Sequence, residues 1–376
     1  MRISSQFDSG NIEVQDLSNA QHPLLKMRKD LNSAHFQWFH FKAEDLTPGQ
    51  RYDFSITNAG QAAYHWAWPG YNAAASYDQK TWFRVPSTYA DGTLSFGLDV
   101  EQAQIWFAYF EPYSRERHDW LIDQALVRAD AQLVACGKSV EGRDIQLLRI
   151  SRTPNAQRKV WIIAQQHPGE HMAEWFMEGL IERLKNRDDA ELNDLLSKAD
   201  IYLVPNMNPD GAYRGHLRTN AAGKDLNRAW QSANETETPE VFFVQQHMRA
   251  VGVDLFLDIH GDEEIPHVFT AACEGNPGYT PRIAGLEERF RQRLVTNGAE
   301  FQTRYGYPRS EPGKANMALA CNAVGQEFDC LSFTIEMPFK DHDDTPNPTT
   351  GWDGKRSKQL AKDVLSVTAS MVDELR

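Results

Sequence analysis

The sequence predicts an α/β protein in which an all-β antiparallel sandwich domain, residues 1–113, precedes a mixed-sheet α/β/α domain, residues 114–376. Three observations predict this arrangement. The first third of the chain carries short β-type runs separated by turns that contain glycine or proline. The remainder alternates apolar runs of strand length with amphipathic helical patterns, which is typical of an α/β sheet. A length of 376 residues also suits two domains rather than one.

The composition limits the partners that the protein can have. A formal net charge of −13 argues against nucleic acid or an anionic membrane as the main partner, although a local basic pocket can still bind an acidic substrate. The start of the sequence lacks the basic-then-apolar layout of a signal peptide, and no run of about 18 apolar residues predicts a transmembrane helix. We therefore expect a cytoplasmic protein without membrane contact. Its oligomeric state does not follow from the sequence.

The four cysteines, Cys136, Cys273, Cys321 and Cys330, are scattered without the C-x-x-C spacing of a zinc or redox motif. A cytoplasmic location predicts that they are reduced. A disulfide between Cys321 and Cys330 is the alternative.

In the N-terminal domain, the predicted strands cover residues 11–17, 36–43, 52–58, 82–85, 92–98 and 104–110. Turn signals separate them, and their spacing favours an antiparallel sandwich. An aromatic group at residues 64–71 is interpreted as core or domain interface, with a carbohydrate-stacking face as the alternative. We predict no chemistry in this domain, which ends near Tyr113.

The C-terminal domain opens with a predicted helix at 115–129, which Ser114 caps, and a strand hairpin at 133–136 and 145–151. Further strands are predicted at 160–164, 199–204, 254–259, 268–272 and 331–335, and further helices at 173–185, 239–251, 278–296 and 355–375. In open α/β sheets, functional sites form beyond the carboxyl ends of strands. We therefore expect one crevice to contain the polar residues that follow these strands, His167, Asn208, His260 and Glu336.

The stretch WIIAQQHPGEHMAEW, residues 161–175, joins a strand to a helix and contains candidate metal ligands. Its HPGEH string matches the pattern H-x-x-E-H, in which both histidines bind zinc from one face of a helix. Proline and glycine between the histidines disfavour that helix. The other interpretation puts His167 and Glu170 in a turn, with both as ligands, and leaves His171 as a helix-start residue near the site. The third ligand then has to come from elsewhere in the chain.

Two later strands end in residues that suit such a site. The stretch DLFLDIHGD contains His260, and either Asp258 or Asp262 is predicted to bond the far nitrogen of its imidazole. The stretch LSFTIEMPF carries Glu336 inside an apolar strand end, where a carboxylate must be paired, metal-bound or used in catalysis. Facing a zinc-bound water, Glu336 would be a general base.

The loop GAYRGHLRTNAAGKDLNRAW, residues 211–230, follows another predicted strand and is rich in cationic side chains. It contains Arg218 and the pair Asn227 and Arg228, for which solvated surface charge is the simpler alternative. Arginine suits bidentate binding of a carboxylate and the stabilisation of a developing oxyanion.

Together these motifs resemble those of the zinc carboxypeptidases, or funnelins, in their order and in their flanking strands. The motifs are HPGE at 167–170, NPDG at 208–211, Arg218, DLNR ending at Arg228, DIHGD with His260 and TIE with Glu336. The catalytic resemblance covers residues 114–376. The preceding sandwich is similar to that of the cytosolic carboxypeptidase branch, which includes enzymes that remove glutamates from protein tails. The resemblance implies a zinc metallocarboxypeptidase that acts on the C-terminus of a peptide or protein.

The resemblance also implies the metal site and the catalytic groups. His167, Glu170 and His260 would bind one zinc ion. Glu336 would be the general base and acid, and Arg218 would stabilise the oxyanion.

For the substrate, the resemblance implies that Asn227 and Arg228 hold the terminal carboxylate. Many family members also place a tyrosine shortly before the base, but residues 313–330 contain none. Tyr305 and Tyr307 are the nearest candidates, with packing as the alternative for either, and the role stays open.

If the family layout holds, the stretch YGYPRSEPGKANM, residues 305–317, lines the pocket for the last side chain of the substrate. Arg309 or Lys314 would then pair with glutamate or aspartate, which gives the hypothesis of an acidic preference; solvated loop charge is the alternative. Two other functions compete. One is a zinc amidohydrolase that deacylates N-acyl amino acids, as aspartoacylase-like enzymes do, and the other is a non-catalytic peptide-binding protein on the same fold. The N-terminal sandwich and the full DLNR string favour a peptide substrate.

Overall fold

The computed structural model describes residues 1–154, 156–298 and 300–376. The N-terminal strands are β1 Arg2–Ser4, β2 Glu13–Asp16, β3 Leu24–Lys26, β4 His40–Glu44, β5 Arg51–Ile56, β6 Ala73–Ser76, β7 Trp82–Val85, β8 Ser87–Ala90, β9 Thr93–Asp99 and β10 Gln104–Ala108. They form two five-stranded sheets, in the orders β1-β4-β10-β6-β7 and β2-β3-β5-β9-β8. Two 3-10 helices, Ala59–Gln61 and His65–Ala67, follow β5.

The two sheets pack face to face through aromatic side chains. The ring of Phe54 in β5 lies 4.7 Å from that of Phe107 in β10 and 5.7 Å from that of Phe41 in β4. The predicted antiparallel sandwich is confirmed, with one exception, because β3 pairs with β5 in parallel. Strands β1, β3, β6 and β8 lie outside the predicted strands. Each has only three or four residues, a length at which an alternating pattern is weak.

The C-terminal part alternates strands and helices. Its elements are α1 Arg115–Arg128, β11 Ala131–Lys138, β12 Asp144–Ile150, β13 Arg158–Ala164, α2 Met172–Leu184, α3 Ala190–Lys198, β14 Ala199–Val204, α4 Pro209–Arg214, α5 Pro239–Val251, β15 Leu255–Asp262, β16 Phe269–Ala271, α6 Pro281–Asn297, α7 Ala320–Phe328, β17 Leu331–Pro338 and α8 Gly354–Met371. Leu226–Arg228 and Val372–Glu374 are 3-10 helices. Among the described residues, no helix is long and apolar enough to cross a membrane.

These strands form one seven-stranded sheet in the order β11-β12-β14-β13-β15-β17-β16. The central strands β14, β13, β15 and β17 are parallel, and β12 and β16 run antiparallel to their neighbours. Side chains of β13 alternate between the two faces. Val160 and Ile162 join the core that contains α2 and α8, whereas Trp161 and Ile163 join the core that contains α5 and α7. The predicted α/β/α layering is therefore confirmed.

Strands β15 and β17 run further than their apolar patterns predict. β15 ends at Asp262 rather than at residue 259, and β17 ends at Pro338 rather than at residue 335. The two strands pair in parallel register, with His260 directly opposite Glu336. The ladder continues through these polar residues because each strand supplies the backbone hydrogen-bond partners of the other. His260 and Glu336 therefore lie on strands rather than on the loops that follow them.

Helices α3, α4 and α7 lie outside the predicted helices. The first residues of α3 are held by Asp189, whose side chain accepts a hydrogen bond from the backbone N–H of Leu192. In α4, Asn208 caps the helix and Pro209 occupies its first position, so the NPDG string starts a helix rather than a loop. These short helices have too few turns to show a helical period in the sequence.

The cysteines are all free thiols. The Sγ atom of Cys321 lies 3.7 Å from that of Cys273, and the thiol of Cys330 contacts the carbonyl of Val324. The alternative of a Cys321–Cys330 disulfide is therefore wrong, because the fold turns the two thiols towards different partners.

The aromatic group at residues 64–71 lies partly in the core and partly at the domain interface, as expected. Trp68 and Tyr71 are buried in the sandwich. Trp66 is 52% exposed, and its indole N–H donates to Glu264 in the loop after β15. The domain boundary near Tyr113 stays a prediction.

Arg84 in β7 joins the sandwich to the C-terminal part. Its guanidinium donates to the carbonyls of Thr350 at 3.0 Å, Phe339 at 2.9 Å and Trp352 at 3.0 Å, and also to Asn72 at 2.8 Å. A guanidinium carries five N–H donors in a planar fork, so one side chain can satisfy several carbonyls at once. Arg84 therefore holds the segment between β17 and α8 against the sandwich.

We expect Arg84→Ala to lower the free energy of unfolding by about 2–4 kcal/mol, because it leaves several interface carbonyls without donors. Urea denaturation of the full chain measures this. Arg51→Ala is the matched control, because Arg51 is exposed and pairs with Asp53 on the surface of the same domain. Its expected cost is below about 1 kcal/mol. Equal losses for the two variants would show that Arg84 does not hold the interface.

Candidate active site

His167, Glu170 and His260 converge at the carboxyl edge of the seven-stranded sheet. Nδ1 of His167 lies 2.7 Å from one oxygen of Glu170, and Nδ1 of His260 lies 2.7 Å from the other. The candidate ligand atoms all fall within 4.8 Å of one another, and all three side chains are buried. Two imidazole nitrogens and a carboxylate are a donor set typical of catalytic zinc.

The HPGE string forms a turn between β13 and α2. The turn closes through a hydrogen bond from the N–H of Glu170 to the carbonyl of His167, at 3.2 Å. Gly169 packs tightly here, since a Cβ at this position would lie 2.9 Å from the carbonyl oxygen of Leu217. Helix α2 begins only at Met172. The helical H-x-x-E-H interpretation is therefore wrong, and the turn interpretation describes the local backbone.

His171 lies beside the metal ligands but faces away from them. Its Nδ1 accepts a hydrogen bond from the backbone N–H of Tyr113 at 2.9 Å, and its ring stacks on Trp38 at 4.3 Å. Burial lowers the pKa of His171 to about 3, so the imidazole is neutral and acts as an acceptor. His171 thus connects the sandwich to the start of α2.

A second carboxylate supports each ligand histidine. Nε2 of His167 lies 3.0 Å from Oδ1 of Asp225, and Nε2 of His260 lies 2.9 Å from Oδ2 of Asp258. A carboxylate on the far nitrogen keeps the proton there and leaves the Nδ1 lone pair for a metal. Of the two predicted partners of His260, Asp258 makes this contact.

The charges at this centre fit a metal cation. Burial alone would raise the pKa of Glu170, but without a metal the positive charge of the two imidazoles, His167 and His260, outweighs burial and lowers that pKa to about 2. Glu336 is also buried, and its Oε2 has no hydrogen-bond partner among the described residues. A buried, unpaired carboxylate oxygen is costly unless a ligand or ion satisfies it. The donor set and the unsatisfied oxygen of Glu336 therefore both fit zinc and a substrate at this position.

Glu336 lies beside His260 on the neighbouring strand and is 5% exposed. Burial raises the pKa of Glu336 well above its usual value, and the nearby His260 opposes this shift. A carboxyl group that takes up a proton readily is suited to accept one from water and to return it.

The sequence leaves open whether Tyr305 or Tyr307 lies near the base, and in the structure it is Tyr307. Its hydroxyl donates to Oδ2 of Asp262 at 2.7 Å and lies 3.3 Å from Oε1 of Glu336. Burial, followed by the charges of Glu336 and Asp262, raises the pKa of Tyr307, so the phenol keeps its proton. Tyr305 instead stacks on His267, with ring centroids 4.5 Å apart. Of the two candidate tyrosines, Tyr307 is the one that reaches the predicted base.

Arg218 is linked to the metal ligands through Asp225, which also contacts His167. Its Nε donates to Oδ2 of Asp225 at 2.8 Å, and its Nη1 donates to the hydroxyl of Tyr64 from the sandwich. Burial opposes the charge of the guanidinium, but Asp225, together with the nearby Glu263 and Glu170, outweighs burial and raises the pKa of Arg218. The side chain is therefore a fixed cation at the edge of the site.

Asn227 and Arg228 belong to the 3-10 helix that follows Asp225. The amide nitrogen of Asn227 lies 3.4 Å from Nε2 of His260, and its amide oxygen accepts from the N–H of Ala320 at 2.8 Å. Arg228 is exposed and donates to the carbonyl of Asn227. The fold thus brings both predicted carboxylate-binding residues to the metal ligands, with the amide oxygen of Asn227 already engaged by Ala320.

A cavity of about 260 Å³ lies next to Tyr307, between β16, α6 and the loop after α6. Its charged lining residues are Glu274, Arg291, Arg304 and Arg309. Arg309 is therefore at the cavity, whereas Lys314 is exposed and is not one of the lining residues.

Arg291 is the buried cation of the cavity. It donates to Glu274 at 2.6 Å and to Thr270 at 3.2 Å. The sequence carries one signal for it, since Glu287 and Arg291 place opposite charges four residues apart on the otherwise apolar face of α6.

No role at the site is predicted from the sequence for three further residues, Asp225, Tyr64 and Asp30. Asp225 is the first letter of the DLNR string, and its distance of two residues from Asn227 was the available signal. Tyr64 and Asp30 carry no local signal, because they reach Arg218 from the sandwich over separations of 154 and 188 residues.

Comparisons with known proteins agree with this geometry. A sequence model of the family described as zinc carboxypeptidase matches residues 124–342, and one described as the cytosolic carboxypeptidase N-terminal domain matches residues 3–110. Cytosolic carboxypeptidase 6 from Caenorhabditis elegans is 24% identical, over 93% of this chain and 81% of its own length.

Two solved structures superpose over nearly the whole chain. The metallo-carboxypeptidase from Pseudomonas aeruginosa, in complex with (2-guanidinoethylmercapto)succinic acid, is 63% identical with a TM-score of 0.99 and covers 100% of both chains. The metallo-carboxypeptidase from Burkholderia cenocepacia is 40% identical with a TM-score of 0.96 and covers 99% of both chains. The chain therefore belongs to the zinc carboxypeptidase family, in the branch that carries a cytosolic carboxypeptidase N-terminal domain.

Proposed function

We propose that the protein removes the last residue from a peptide or protein and uses one zinc ion bound by His167, Glu170 and His260. One observation carries the proposal. The Nδ1 atoms of the two histidines meet the two oxygens of Glu170, and the buried Oε2 of Glu336, opposite His260 in the sheet, has no hydrogen-bond partner among the described residues. Zinc, when bound, supplies Lewis acidity towards water and towards the scissile carbonyl.

Glu336 is the general base and acid of the proposed reaction. Its raised pKa lets its carboxylate take the proton of the attacking water and give it to the leaving amine. The phenolic proton of Tyr307, held between Asp262 and Glu336, is available as a donor beside the base.

Arg218 provides positive charge where the carbonyl oxygen becomes an anion. Fixed donors aimed at developing charge lower the barrier without reorganisation during the reaction. The terminal carboxylate of the substrate is bound by Arg228 together with Asn227, as a guanidinium suits a carboxylate. Arg228 is exposed, and apart from Nη1, which donates to the carbonyl of Asn227, its nitrogens have no acceptor among the described residues, which fits this role.

The cavity beside Tyr307 holds the last side chain of the substrate, and we propose an acidic preference. Among its lining residues, three arginines outnumber one glutamate. A basic side chain is the competing preference. Glu274 favours a basic side chain, and so does the guanidino group of the ligand in the Pseudomonas aeruginosa relative. The succinic acid part of that ligand instead favours a site that binds carboxylates.

We expect Glu336→Gln to lower kcat by about 10²–10⁴-fold, because glutamine cannot exchange the proton. Zinc content and melting temperature should stay at the values of the unchanged protein. The assay uses a peptide and, in parallel, an N-acyl amino acid, and we expect turnover of the peptide. Glu101→Gln, on an exposed residue of the sandwich, is the control and should keep full activity. Full activity of Glu336→Gln would contradict the role of Glu336, and turnover of the N-acyl amino acid alone would favour an amidohydrolase.

A panel of peptides that differ only in the last residue tests the preference, and the highest kcat/KM is expected for glutamate or aspartate. Arg309→Ala should raise KM for these peptides about five- to tenfold, since it removes one charged hydrogen bond. Lys314→Ala, on the same loop but away from the cavity, should change KM less than twofold. A higher kcat/KM for C-terminal leucine, phenylalanine or arginine would contradict the acidic preference.

A further inference from the structure

We propose that the sandwich domain is part of the active site, because Asp30 and Tyr64 act as positioning residues for Arg218. The inference rests on the oxyanion role proposed above for Arg218. It goes further in assigning a catalytic task to residues of the N-terminal part, where the sequence predicts no chemistry.

Asp30 holds the backbone on which Arg218 lies. Its Oδ1 accepts from the N–H of Leu217 at 2.7 Å, and its Oδ2 accepts from the N–H groups of Arg218 at 2.8 Å and Thr219 at 2.9 Å. The hydroxyl of Thr219 adds a fourth bond at 3.2 Å. Asp30 is 2% exposed, so these charge-assisted bonds form away from solvent. One carboxylate therefore fixes three consecutive peptide groups of the loop.

The surroundings of Asp30 are fixed in turn. Its own N–H donates to the carbonyl of His35 at 2.9 Å, which closes a turn in the sandwich. The N–H of Leu31 donates to His216 at 2.9 Å. A Cβ at Gly223 would lie 2.3 Å from the carbonyl oxygen of Asn32, so the two backbones touch. The loop that carries Arg218 is thus bonded to the sandwich at several adjacent points.

Tyr64 holds the side chain of Arg218. Nη1 of the guanidinium donates to the Tyr64 hydroxyl, while Nε donates to Asp225 at 2.8 Å. Burial raises the pKa of Tyr64, so the phenol stays neutral and accepts the bond without cancelling the positive charge. Within the described residues, Nη2 donates to no protein acceptor. Two of the three nitrogens are therefore held, and the third is left for the substrate.

Tyr64 is itself held by the core of the sandwich. Its backbone N–H donates to the side-chain oxygen of Gln37 at 2.7 Å, and the amide nitrogen of Gln37 bonds the hydroxyl of Tyr109 at 2.9 Å. Gln37 is fully buried. The guanidinium of Arg218 is thus held in place by the buried interior of the N-terminal part as well as by its own loop.

This arrangement predicts a specific kinetic effect. Arg218 acts on charge that appears in the transition state, so a loosened guanidinium lowers kcat more than it weakens substrate binding. A contact that served only to join the two parts of the chain would change stability and leave kcat unaltered.

Tyr64→Phe tests the inference in the full chain loaded with zinc, because it removes one hydroxyl and keeps the ring. We expect kcat to fall about 5–30-fold, with KM within twofold and with zinc content and melting temperature unchanged. Tyr77→Phe is the matched control. It removes a hydroxyl that accepts from the N–H of Glu101 at 2.9 Å in the same domain, and it should keep full kcat.

A double-mutant cycle decides whether Tyr64 acts through Arg218. If Tyr64 acts through Arg218, Arg218→Met with Tyr64→Phe should be no slower than Arg218→Met alone. Asp30→Asn tests the other positioning residue, and the kcat of this variant should fall while zinc stays bound. Unchanged kcat for Tyr64→Phe, or losses that multiply in the double variant, would overturn the inference and leave the proposed function intact. Full kcat for Arg218→Met would instead overturn the proposed role of Arg218 and this inference with it.

Discussion

The carboxylate of Glu170, shared by two imidazoles, is the interaction on which the site depends. It lies in a buried space that also contains Asp258, Asp262, Glu263 and Glu336. Burial raises the pKa of Asp262, Glu263 and Glu336 and so favours their neutral forms, which leaves the charge of Glu170. Histidines that act as metal ligands are neutral, so they do not balance that charge. Burial of unbalanced charge is costly, and a divalent cation is the simplest compensation.

The sequence is sufficient for those parts of the site that lie next to strands. Val160 to Ala164 forms an apolar strand, and the proline and glycine after His167 prevent a helix, so the turn follows from local rules. Tyr64 and Asp30 could not be predicted, because their importance arises from contact with Arg218, which only the folded chain creates. Arg291 and Asp225 are intermediate in how well the sequence predicts them, since each has a weak local signal.

The fold shows the same division between local and tertiary causes. Long periodic elements such as α5 and β14 end where their patterns end, because burial follows sequence period. β15 and β17 continue beyond their apolar residues, because each strand provides a ladder for the other. β3 and β6 are too short for a pattern, and they become strands only because a neighbour pairs with them. Pairing between distant segments thus decides where a strand forms and ends when the propensity of the local sequence does not.

The bonds of Arg84 also bear on the order in which the protein matures. Their acceptors lie 255 to 268 residues further along the chain, close to its C-terminal end. During synthesis, the sandwich is complete long before those carbonyls leave the ribosome. Closing such distant contacts is slow, because the chain entropy of the intervening loop opposes it. A nascent chain therefore exposes an unfinished face of the sandwich until the segment between β17 and α8 has been synthesised.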